Sequence, residues 1–243
     1  MRVRKSMLTS LFLVAAAFGQ ATQPATLPAT NPADAAAVKD ALGQYNTAVA
    51  NGDAEGIAKF IDATSDLQKK ALTQMGKLTT LGHGLYETTL KQFGQAKLDA
   101  DHVTKESFPG GFPQLPIEQI EVKTSGDAAV FTTEDGQPLP LTMTRKNGVW
   151  KFDGSMLQVN SEKDLSDRDP IITALTDEIG KTGADVTAGH FRSPDEVVVI
   201  LQHRVSKVVR AESMRREAEE MPTTEPVQPP TMVPTPQVGP AAP

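Results

Sequence analysis

The feature that most constrains this chain is a change of hydrophobic period part-way along it. Val38, Ala41, Leu42, Tyr45, Ala48 and Val49 fall at the i, i+3, i+4, i+7 positions of an amphipathic helix. From Ile117 the period drops to 2, with Ile120 and Val122 alternating with charged residues, and beyond residue 161 helical spacing returns. Each kind of element has one apolar side to bury. Helices, then strands, then helices therefore predict an α+β fold, with N-terminal helices packed on a curved antiparallel sheet and a C-terminal helical extension.

The strand block is punctuated by turn chemistry. Ser125-Gly126-Asp127 precedes "AAVFTT", Asp135-Gly136 precedes "PLPLTMTRK", and Asn147-Gly148 closes the last hairpin, since both residues tolerate the positive φ of a type I′ turn. A two-residue loop sets the register: Lys146 faces Val149, Arg145 faces Trp150 and Met143 faces Phe152. Leu141, Met143, Arg145, Trp150 and Phe152 then share one face, and Thr142, Thr144, Lys146, Lys151 and Asp153 the solvent face. Trp150 reads as core on this register, with the Arg145 guanidinium able to lie over the indole, although contact with a ligand stays open if that face lines a cavity.

Among the helices, Asn51-Gly52 stops the first, and Asp53 caps a short second whose face carries Ile57, Phe60 and Ile61. Thr64 or Ser65 caps a third with Leu67, Ala71, Met75, Leu78, Leu81 and Leu85 inward, and Gly82 and Gly84 are places where it could bend or stop. Asp169-Pro170 suits a helix start, with Gly180 or Gly183 as its end. Ser193-Pro194-Asp195-Glu196 is a capping box opening a last helix with a stripe of Val197, Leu201, Val205 and Val208. The charged segment 210–220 lacks that stripe and is expected to project into solvent or to pair with another chain, a homodimer included.

The two ends differ from the middle. Arg2, Arg4 and Lys5 followed by the apolar stretch Met7 to Phe18 read as a signal peptide over residues 1–19, cleaved at Gly19/Gln20, with Ala17/Phe18 and Ala21/Thr22 as alternatives. The stretch is shorter than the ~20 residues a membrane span needs. Residues 20–33 are a Pro/Ala/Thr linker and residues 221–243 a proline-rich tail, compositions that bury little and are expected to stay disordered. Between them lie an α+β domain, 34–155, and the helical extension, 161–220. An exported protein, periplasmic or secreted, follows from these readings. The formal charge of −6 becomes about −9 once the three basic leader residues are removed, which disfavours a nucleic-acid partner. There is no cysteine, and so no disulfide, thiolate ligand or thiol nucleophile.

"AVKDALGQYNTAVANGDAEGIAKFI" resembles the opening of the nuclear transport factor 2-like superfamily, which includes SnoaL-like and ketosteroid-isomerase-like proteins. "VKTSGDAAVFTTEDGQPLPLTMTRKNGVWKFDG" is similar to that superfamily's closing strands. The resemblance covers about residues 35–155 and implies a cone-like sheet that can enclose a pocket. The stretch from Leu67 to Phe93 departs from it by being longer and more helical. Enzymes, ligand binders and structural modules all use such a frame, so function has to come from the site. What the resemblance implies for chemistry is a carboxylate base with a tyrosine or acid polarising a carbonyl. The polar groups near the expected mouth are Tyr45, Tyr86, Asp99, Asp101 and His102, and with Trp150 they are the ligand-pocket candidates.

Other chemistries find no support. Gly180-Lys181-Thr182 has Leu175 where a phosphate loop needs glycine, and "DLSDRDP" lacks the glycine of a calcium loop. The four histidines, His83, His102, His190 and His203, form no metal motif, and no Gly-x-Ser-x-Gly elbow occurs. No metal, cofactor or catalytic residue is assigned. The expectation is a non-enzymatic binding or assembly module for a small apolar ligand or a protein, with an isomerase, lyase or hydrolase as the alternative.

Overall fold

A computed structural model describes residues 31–220. The expected signal peptide, most of the linker and the proline-rich tail lie outside the described residues. The fold is α+β: helices pack on a mixed, open five-stranded sheet of order β1-β5-β4-β3-β2. The strands are β1 (Ile61–Asp62), β2 (Ile120–Ser125), β3 (Ala128–Thr133), β4 (Pro138–Lys146) and β5 (Val149–Asp153). The hairpin register is as the turn chemistry requires, with Arg145 opposite Trp150 and Met143 opposite Phe152. Asn147 and Gly148 both take positive φ.

Helix α1 (Pro32–Ala50) buries all six of the residues its periodicity selects. It starts before Asp34, because Asn31 accepts from the Ala33 amide and Pro32 occupies the first helical position. Helix α2 (Ala54–Ala58), capped by Asp53, is shorter than its apolar pattern suggests. Phe60 and Ile61 leave it, and Ile61–Asp62 pairs in parallel with β5. That one short strand makes the sheet mixed. A run of two residues carries no period, so pattern alone assigned it to the helix before it.

Helix α3 (Asp66–Phe93) runs unbroken through Gly82 and Gly84 from a Ser65/Gln68 capping box. Gly82 is needed for contact instead: a Cβ there would lie 1.8 Å from the Pro109 carbonyl oxygen. Helix α4 (Gln95–Ala100) carries Asp99 and ends at the turn that holds Asp101 and His102. Helix α5 (Glu162–Thr187) begins eight residues before Pro170, at a capping box of Ser161 and Asp164, and passes both Gly180 and Gly183. The strong cap outweighs the proline, whose missing N–H frees one carbonyl without ending the helix.

Helix α6 (Pro194–Glu220) starts at the expected cap, though Glu196 reaches back to the Arg192 amide, not to that of Ser193. It packs on α5. Arg204 donates to Thr182 at 3.0 Å and to Asp185 at 2.7 Å, and the second of these bonds, with His190 next, holds the Asp185 carboxyl below its ordinary range. Arg216, in the segment expected to project, turns back to the Asp167 carbonyl.

The buried side chains form two clusters. One lies between α1, α2 and the sheet, around Leu42, Tyr45, Phe131, Met143, Trp150 and Phe152, and includes Phe112 and Leu165. The other is helical, around Leu85, Tyr86, Leu98, Phe108, Ile179, Val197 and Leu201. Helix α3 contributes to both, with Met75 the last residue on the sheet side and Leu78 the first on the helical side.

Candidate functional site

The residues drawn from the sequence as pocket candidates do not converge. Tyr45 and Trp150 belong to the sheet-side cluster, Tyr86 to the helical cluster, and Asp101 and His102 to the turn after α4.

Tyr45 is fully buried, meets Phe152 edge-on at 5.1 Å between ring centroids, and donates from its hydroxyl to the Pro113 carbonyl at 3.2 Å. Burial pushes its ionisation far above the ordinary phenol range. The adjacent Asn46 grips Leu115 as a peptide would, donating to its carbonyl at 2.7 Å and accepting from its amide at 2.9 Å. Between them these two side chains fasten the segment 113–115 over α1.

A pH prediction follows. The folded state holds Tyr45 protonated, while the unfolded phenol ionises near pH 10. Stability from this group is therefore complete below about pH 10 and should fall by about 1.4 kcal/mol per pH unit above it. Urea titrations at pH 9 to 11 should show that excess slope in the native chain and lack it in Tyr45→Phe. Equal slopes in both would contradict the buried phenol.

Trp150 is 3% exposed and sits under the Arg145 guanidinium, 4.9 Å from the ring centroid. Arg145 also bonds Asp34 at 3.0 Å and Asp127 at 2.9 Å, tying the first turn of α1 to the β2–β3 turn. Periodicity could place Arg145 over the indole but not find these two acids, which are distant in sequence.

Tyr86 packs edge-on against Phe108, with the Lys105 ammonium 5.5 Å from its ring centre. Its ionisation is raised, first by burial and then by Glu87, Asp99 and Glu106. Asp99 and His102 face solvent, and His102 takes a left-handed φ in the turn. Asp101 pairs with Lys97 at 3.1 Å through one oxygen, and its other oxygen is buried without a hydrogen-bond partner.

A more promising concavity lies elsewhere, where the first half of α3 meets the first half of α5. It is a groove of about 450 Å³ walled by Lys70, Thr73 and Gln74 on one side and Glu162, Ser166 and Asp169 on the other, with Leu165 between. Gln74 donates through its amide nitrogen to the Asp169 carboxylate, which turns its carbonyl oxygen inward, buried and without a partner. Pro170 withholds the N–H that the Ser166 carbonyl would otherwise receive. Two carboxylates and the Gln74 oxygen, with the Ser166 carbonyl nearby, make this an acceptor-rich place. A second concavity, lined by Lys39, Asp40, Gly43, Gln44 and Thr47, is walled by α1 alone.

Sequence reasoning missed the groove because it treats 164–170 as the approach to a helix, whereas α5 has already begun there. The signal was present in Ser161 and Asp164, three residues apart, which is cap spacing. Compared with known proteins, the chain matches no family model, no curated protein and no solved structure.

Proposed function

We propose that this chain is an exported, non-enzymatic binding or assembly module on a nuclear transport factor 2-like frame, and that it takes its partner in the groove between α3 and α5. The observation that carries the reading is the pair of carboxylates on the α5 wall of the groove, Glu162 and Asp169, the latter held by the Gln74 amide across it. Carboxylates lining a cleft accept charge-assisted hydrogen bonds from a partner that brings N–H groups. The fitting class is an extended peptide segment bearing amines or guanidiniums. Binding is favoured over acid–base chemistry because the space beneath α1 is filled by Tyr45, Phe131, Met143 and Phe152, and the one phenol there is already engaged.

The test is a titration of the nitrogen-15-labelled protein with a short lysine-rich peptide, followed by amide shifts. Shifts should gather at residues 70–74 and 162–169, and Gln74→Lys should weaken binding about tenfold by placing a cation where the donor docks. Shifts spread evenly over acidic surface residues, or indifference to Gln74→Lys, would refute the groove as the site.

A further inference from the structure

The chain passes between its two clusters three times, and each passage carries glycine or proline. In α3 the passage falls between Met75 and Leu78, at Gly76. The return, in the segment after α4, falls between Phe108 of the helical cluster and Phe112 of the sheet-side cluster, at Pro109-Gly110-Gly111. The third, in α5, falls between Leu165 and Ile172, at Pro170. Glycine weakens a helix by removing side-chain restraint, and an internal proline removes a bond and opens the preceding turn.

From this coincidence we infer that the molecule bends as two bodies about a line through Gly76, Gly110 and Pro170, the helical body swinging against the sheet body. The first two passages move as one. Thr79 accepts from the amides of Gly111 and Phe112, and Gly82 lies against the Pro109 carbonyl. Away from that line the described, closed arrangement is latched at the turn after α1. Thr80 donates to the Gly52 carbonyl at 2.8 Å, and Lys105 to the Ala50 carbonyl at 3.1 Å. Bending apart costs these two polar contacts and strains the Arg216 bond to the Asp167 carbonyl, while it leaves each cluster intact.

The groove borders the hinge without spanning it. Gln74 and Asp169 stand immediately before the α3 and α5 passages, so both walls of the groove belong to the sheet body and keep their spacing as the helical body swings. The bending does not rest on the groove being the binding site.

Freedom from cysteine allows paired spin labels at Asn147 and His203, one exposed position on each body. Dipolar distance measurement on the full chain should show a major component and a longer minor one. Lys105→Met should enlarge the longer component roughly twofold by removing a latch. Pro170→Ala, which restores an N–H to α5, should shrink it while far-ultraviolet circular dichroism stays native or gains helix. One narrow component, unchanged in both variants, would overturn the hinge. The lysine-peptide titration is read separately, so loss of the binding site and loss of the hinge give different results.

Discussion

Trp150→Ala should lower the stability of the folded chain by about 3–5 kcal/mol, among the largest effects of any single truncation in the sheet-side core. The indole is almost wholly buried, and it is enclosed by a strand on one side and the Arg145 guanidinium above. Removing it leaves a cavity between layers that a sheet pinned by its hairpins cannot close. It also strips Arg145 of the surface on which its ion pairs with Asp34 and Asp127 are organised, so the first turn of α1 should fray as well. Urea unfolding gives the stability difference. Because this is the sole tryptophan, native emission should be blue-shifted and should move to the red as the chain unfolds. Red-shifted native emission, with an unchanged midpoint in the variant, would rule out the packing described.

A smaller residue change should do nearly as much harm at Gly111. A Cβ there would stand 2.0 Å from the Met75 carbonyl oxygen, and that oxygen belongs to helix backbone that cannot rotate away. Gly111→Ala should destabilise by about 3 kcal/mol, through overpacking and through loss of the hydrogen bond from its amide to Thr79 as the strap of residues 109–112 lifts off α3. The neighbouring Gly110 is the control. A Cβ at Gly110 meets nothing nearer than the Phe112 carbonyl at 3.6 Å, so Gly110→Ala should stay within about 0.5 kcal/mol of the native chain. Similar midpoints for the two variants would show that the strap is not held against α3 as described.

How far the sequence foretold this differs from one element to the next, for physical reasons. Period and turn chemistry are local, and they located α1, the β2–β3–β4–β5 hairpins and the Arg145–Trp150 pairing, although α1 begins at Pro32 and β2 only at Ile120, after a 3-10 turn at Ile117–Gln119. The Ile61–Asp62 strand escaped because two residues cannot show an alternation. Helix α5 was begun too late because proline was given more weight than the serine cap ahead of it, although a capped helix tolerates one missing bond. The candidate site fared least well. Tyr45 and Tyr86 are both expected near one pocket mouth, yet they lie in different clusters. The groove depends on Gln74 meeting Asp169, 95 residues away, a contact no local pattern carries.

The clasp of Asn46 on Leu115 bears on the order in which the chain can fold. The two residues are 69 positions apart, and the sheet-side cluster also waits for Leu165, so the chain from α1 to the first turn of α5 must be present before that core is complete. The helical cluster waits longer, for Leu201. Every member of the sheet-side cluster is in place once Leu165 has emerged, whereas the helical cluster is finished only by the last helix. A chain delivered amino end first should therefore close its sheet-side core early and its helical core in a late step dominated by long-range contacts. Until that step the apolar faces of α3 and α5 that α6 covers stay open to other chains.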